Sequence, residues 1–159
     1  MQPRIITLTE KKLVGLSKNM SLTDNKTQQL WSEFMACIDE IPNRISEDKI
    51  SMQMYDELYF MEFSPNRPFV KWATVEVYSF DEVPASLTSF QLMGGLYAVF
   101  NYKGLSDDPS IFQYIYTEWL PNSGYELDKR PHFEVLGKHY KNNDPNSEEE
   151  IWIPIKKLL

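Results

Sequence analysis

Cysteine is almost missing from this chain: Cys37 stands alone among 159 residues, which excludes an internal disulfide and fits a reducing compartment. Only two histidines, His132 and His139, accompany it. That leaves too few ligands for a zinc cluster, and neither a metal nor any other cofactor is expected. No run of about 18 apolar residues is present to cross a membrane. Charges also interrupt MQPRIITLTEKK, where a secretion signal would need its apolar stretch, so a cytoplasmic protein is expected. Basic side chains are in deficit, 16 against 23 acidic ones, for a net charge of −7. Nucleic-acid binding draws its affinity from clustered Lys and Arg, so it is not expected either.

What the chain does have is apolar content, 42% of it, enough for a single domain over residues 1–159 with a substantial core. Its order repeats. LVGLSKNMSLTDN, from Leu13, aligns without a gap on LYAVFNYKGLSDD, from Leu96, pairing Leu22 with Leu105, Thr23 with Ser106 and Asp24 with Asp107. Each stretch reads as a strand entering a helix whose first N–H groups meet polar side chains. Leu30, Phe34, Cys37, Ile38 and Ile41 form the apolar stripe of a helix over roughly 26–41, and Phe112, Ile115, Tyr116 and Trp119 that of a helix over roughly 109–120. Pro42-Asn43 and Pro121-Asn122 stop them. Two strand-like segments follow each helix, with Trp72 in the first half matching Trp152 in the second. The predicted fold is α+β: two repeated strand-helix-strand-strand modules, about 5–80 and 94–157, in an antiparallel sheet. Helices are expected on one face and a ligand groove on the other.

Alternation along the strands divides the side chains between those faces. Val75/Val77, Phe133/Val135 and Ile151/Ile153 are expected to point to the helices. Trp72, Thr74, Glu76, Tyr78, His132, Glu134, Glu150 and Trp152 would then line the groove, with carboxylates set among rings. Around Tyr97 two inward sets remain open, Leu96/Ala98/Phe100 or Tyr97/Val99.

The segments GGLYAVFNYKG, EWLPNSGYELDKRPHFEVLG and DPNSEEEIWIPIKK resemble the GyrI-like (gyrase-inhibitor-like) small-molecule-binding domain. This domain also serves as the effector-binding domain of AraC-type and MerR-type multidrug regulators. The resemblance runs over residues 3–156 and is most specific in Trp119-Leu120-Pro121, in Pro131-His132-Phe133-Glu134 and in Glu150-Ile151-Trp152-Ile153-Pro154-Ile155. It implies an aromatic pocket with a buried glutamate that receives lipophilic, cationic or planar compounds, and Glu134 matches that glutamate. The matching position of the first half is Met54, so one copy carries the acid.

Glu134, Glu150, Trp72, Trp152, Tyr78, Tyr97, Trp119 and His132 are the ligand-binding candidates. Each has a plainer reading. Glu134 could pair with Lys138 on an exposed strand, Glu150 belongs to the acidic run Glu148-Glu149-Glu150, Trp119 suits a helix core, and His132 suits an exposed strand. Two alternatives to a binding module stay open. Some relatives hydrolyse cyclopropane-bearing natural products, which would make Glu134 catalytic with Tyr97, Tyr55 or Tyr78 as proton donor. Others engage a protein, DNA gyrase or a regulator.

Overall fold

The computed structural model describes all residues, 1–159. Alternating apolar segments become β1 (Arg4–Leu8), β2 (Lys11–Met20), β3 (Lys49–Met54), β4 (Phe69–Val77), β5 (Thr88–Leu92), β6 (Gly95–Lys103), β7 (Tyr125–Leu127), β8 (His132–Leu136) and β9 (Glu148–Lys157). Helix α1 (Thr27–Met35) and a short 3₁₀ turn (Ile38–Glu40) follow β2. The second helical region runs from α2 (Ser110–Tyr114) through a π-helical stretch (Ile115–Trp119) into α3 (Leu120–Asn122). No helix is long and apolar enough to cross a membrane.

All strand pairs are antiparallel, in the order β1-β6-β9-β8-β3-β4-β2-β5, with β7 paired to β9. Read outward from the β3/β8 seam, each half presents the last strand of a strand-helix-strand-strand unit and then its first, followed by one added edge strand. The outer ends cannot stay apart. Only Thr9-Glu10 separate β1 from β2, and Met93-Gly94 separate β5 from β6. Gln91 Nε2 donates to Glu10 at 2.7 Å, and a Cβ on Gly94 would collide with the Leu8 carbonyl oxygen. The sheet therefore curls until its ends meet.

Closure creates an interior, which explains where sequence and structure differ. Leu8, Leu13, Met52, Trp72, Leu92, Tyr97, Val99, Phe133 and Trp152 form one apolar cluster on the face turned away from the helices. A groove was expected on that face, and a core fills it. On the other face α1 packs Leu30 and Phe34 against Val14, Ala73, Val75 and Val77. Ile111 and Ile115 of the second helical region pack against Ala98, Phe100, Ile151 and Ile153. The Tyr97 strand thus sends Tyr97/Val99 inside and Ala98/Phe100 to the helices.

Strand β8 is inverted relative to expectation. Phe133 pairs across from Met52 and Trp152, both interior, whereas Glu134 pairs across from Ser51 and Ile151 on the helix side. Each antiparallel pair shares a face, so His132 and Glu134 lie beside the helices. The rule that sends hydrophobic side chains towards helices fails here because the curled sheet offers a second apolar interior.

Candidate functional site

At the β3/β8 seam the sheet is polar on its helix side. Ser51 faces Glu134 and Gln53 faces His132. Ser51, Gln53 and His132 are all buried, a concentration of polar groups that a purely structural seam does not need. Neither helix covers this strip, since α1 lies over β2 and β4 and the second helical region packs on β6 and β9. Rings from the β3–β4 connection do so instead. Tyr55 stands edge-on to His132 at 4.9 Å, Phe60 stacks on His132 at 5.5 Å, and Tyr59 lies against Tyr55 at 4.5 Å. Tyr116 completes the wall, 4.8 Å from Phe60, with its hydroxyl 3.0 Å from His132 Nδ1. It projects from the π-helical stretch, a helix irregularity that often marks a functional position.

Glu134 sits among these groups with little to hold its charge. Its one hydrogen bond comes from Gln53 Nε2 at 3.4 Å, and no cation lies within ion-pairing distance. Burial pushes its carboxyl up to about 8, against the opposing charge of Lys71 and with help from the like charge of Glu149. Burial also raises Glu149 to about 7. Burial lowers Lys71, whose Nζ donates to Thr27 Oγ1 at 3.3 Å near the start of α1. Tyr55 and Tyr116 are raised by burial first and also by the Glu134 charge. Burial lowers His132 to about 3, which keeps it neutral at physiological pH.

Of the residues singled out from the sequence, Glu134, His132 and the proton-donor candidate Tyr55 come together here, His132 buried under rings rather than exposed on a strand. The others are placed elsewhere. Trp72, Tyr97 and Trp152 belong to the closed interior, where the Tyr97 hydroxyl donates to the Pro131 carbonyl at 2.7 Å and the Arg130 guanidinium lies 4.7 Å over its ring. Glu150 is on the opposite face from Glu134, accepting from Arg4 Nη2 at 2.8 Å and Trp152 Nε1 at 3.1 Å. Tyr78 lies just past β4 and is 71% exposed. Trp119 packs edge-on to Phe100 and stacks on Tyr125 in the second helix core. Trp119 also lines an open recess of about 510 Å³ with Ile5, Tyr114, Glu118 and Tyr125, which shares no residue with the Glu134 cluster.

Tyr59, Phe60, Gln53, Lys71 and Glu149 escaped the sequence reading, and Tyr116 entered it only as a core residue. A signal for two of them was available. Lys71 lies two residues before Ala73 and Glu149 two before Ile151, so period-two alternation puts both on the helix side. Removing the Tyr116 hydroxyl leaves His132 Nδ1 without its partner. Tyr116→Phe is expected to lower stability by about 1 kcal/mol in urea unfolding, with no change in fold by circular dichroism.

The chain matches the family model Cass2, described as an integron-associated effector binding protein, over residues 4–155. Among solved structures it is similar to the EcmrR C-terminal domain, with TM-score 0.74, 14% identity and coverage of 99% of this chain and 98% of that one. It is also similar to SAV2435 bound to tetraphenylphosphonium, with TM-score 0.69, 15% identity and coverage of 98% and 94%. An integron cassette protein from the mobile metagenome of Vibrio cholerae gives TM-score 0.65 at 13% identity, covering 98% and 96%. No curated protein matches the sequence. At these identities the structural likenesses establish the fold.

Proposed function

The chain belongs to the Cass2 family of integron-associated effector binding proteins, and from that premise we propose that it binds lipophilic organic cations at Glu134, for sequestration or for sensing. The observation that carries the reading is a carboxylate crowded by protein, on the same strand face as His132 with its cover of Tyr55, Phe60 and Tyr116, and left without an ion pair. A cation entering beside it gains both the charge and the ring faces, the latter contributing about 2 kcal/mol when desolvated. The tetraphenylphosphonium bound by SAV2435 has this chemistry and makes a suitable probe.

Glu134→Gln keeps the shape and removes the charge. It is expected to weaken tetraphenylphosphonium binding by about 1–3 kcal/mol, roughly 5- to 150-fold, and to leave a neutral analogue such as triphenylphosphine oxide nearly unaffected. Calorimetric titration of both ligands reads this. Equal losses for the two would remove the carboxylate from the site. Glu150→Gln serves as the opposite control. Its carboxylate faces away, so cation affinity is expected to stay within twofold of the parent.

A hydrolytic reading rests on the same residue, because a carboxyl poised near neutrality beside the phenols of Tyr55 and Tyr116 has the pKa of a general acid or base. Tyr97 and Tyr78, the other proposed proton donors, are sealed in the core and exposed beyond β4, respectively. Under this reading Glu134→Gln leaves ligand binding intact and abolishes turnover followed by mass spectrometry.

A further inference from the structure

Three half-buried charges lie on the helix side of the sheet across four adjacent strands, β4-β3-β8-β9. Lys71 is on β4, directly across from Gln53 of β3. Gln53 in turn donates to Glu134 of β8. Glu149 is on β9, two residues before Ile151, the cross-strand partner of Glu134. The line therefore runs plus, minus, minus. None of the three forms an ion pair within 4.0 Å, whereas Lys18 of β2 pairs with Glu33 of α1 at 2.8 Å. The remaining titratable groups facing the line are His132 from β8, Tyr55 and Tyr59 from the β3–β4 connection, Tyr116 from the π-helical stretch and Tyr102 of β6, the cross-strand partner of Glu149, all in uncharged forms at neutral pH; Lys49 is on the same face of β3, one step beyond Ser51. Lys71 is the cation that both carboxylates feel.

Resting on the cation-site reading above, we propose that Lys71 is the specificity-determining residue of the site. It acts as a tethered internal counter-ion that satisfies one of the two carboxylates and leaves charge for a single positive group on the ligand. With both acids ionised, the cluster carries one net negative charge, and a monocation neutralises it. A dication would leave a surplus positive charge in a poorly solvated place, where uncompensated charge is costly. Without Lys71 the same cluster carries two negative charges and matches a dication. Thr27 at the α1 end holds the ammonium on the side away from β8, so Lys71 acts on the ligand through charge and without direct coordination.

Ethidium and propidium test this, because they share a phenanthridinium ring while propidium carries one further ammonium. Fluorescence titrations at pH 8.5 would compare the parent protein, Lys71→Met, Glu149→Gln and the double variant Lys71→Met/Glu149→Gln, each checked for folding by circular dichroism. The parent is expected to favour ethidium. Lys71→Met is expected to shift the propidium-to-ethidium affinity ratio at least tenfold towards propidium, and the double variant to return it to within threefold of the parent ratio. Lys71→Gln should reproduce Lys71→Met, which covers the case in which one variant misfolds. A ratio unmoved in both Lys71 variants, with ethidium still bound and still dependent on Glu134, overturns the Lys71 assignment alone. Absence of binding by either dye and by tetraphenylphosphonium, or binding indifferent to Glu134→Gln, overturns the cation-site reading and this inference together.

Discussion

Glu134→Gln is expected to stabilise the protein at alkaline pH, by on the order of 2–4 kcal/mol at pH 8.5. The carboxyl has an ordinary value of 4.5 and rises to about 8 in the folded chain, chiefly through burial. A raised folded value means that the native state holds the proton more tightly than the unfolded state. The stability associated with that proton is complete below about pH 4.5 and is lost as pH climbs to about 8. Glutamine does not titrate, accepts the same bond from Gln53 and avoids the loss. Glu149, raised to about 7, remains in the variant and keeps a residual decline between pH 4.5 and 7. Urea unfolding at pH 5, 7 and 8.5 measures this. The parent should weaken along that series, and the two proteins should converge at the acid end. A variant less stable than the parent at pH 8.5 would mean that the Glu134 charge is compensated in the fold, contrary to its surroundings.

Trp152→Ala is expected to cost about 3–5 kcal/mol, a large share of the total stability of a domain this size. The indole is buried, stacks on Phe133 at 5.1 Å and 17°, and meets the Tyr97 ring edge at 5.8 Å. These contacts are inside the closed sheet, on the face opposite Glu134. A tryptophan that formed the floor of a binding groove would behave in the reverse way, giving up little stability and most of the ligand affinity. Chemical denaturation combined with tetraphenylphosphonium titration of the folded variant at low temperature separates the two. The expected result is a strongly lowered urea midpoint with affinity within threefold of the parent.

These expectations mark where sequence reasoning reaches and where it stops. Both helical regions, most of their apolar stripes and the strands around Trp72, Tyr97 and Trp152 are legible because periodicity is a local property, although α1 ends at Met35 and Pro121-Asn122 lie within α3 instead of stopping the helix. Glu134 stands out as the candidate acid through its family-like motif, and its raised carboxyl follows from burial. The face of β8 is not. Its apolar side chains Phe133 and Val135 alternate with His132 and Glu134 whichever way the strand is turned, and only closure of the sheet, through the Thr9-Glu10 and Met93-Gly94 links, gives the apolar set an interior away from the helices. Assigning that strand backwards grouped Trp72, Trp152 and Glu150 with Glu134, whereas the structure puts Lys71 and Glu149 on its face. Of the covering rings from the β3–β4 connection only Tyr55 was named, as a proton donor, and Tyr59 and Phe60 were missed for a different reason: YDELYF looks like a continuation of β3, yet the chain leaves the sheet after Met54 and folds Tyr55, Tyr59 and Phe60 back over the seam.

The central claim is that a protonated Glu134 gives up its proton to take in a cation. Calorimetric titration of tetraphenylphosphonium at pH 7, repeated in buffers of differing ionisation enthalpy, measures that exchange directly. A carboxyl at about 8 is mostly protonated at this pH, and a bound cation lowers its value, so binding should release about half a proton or more per ligand. Triphenylphosphine oxide should release none, and Glu134→Gln should abolish the release for the cation. A binding heat independent of buffer, the same in the parent and in Glu134→Gln, would contradict the account.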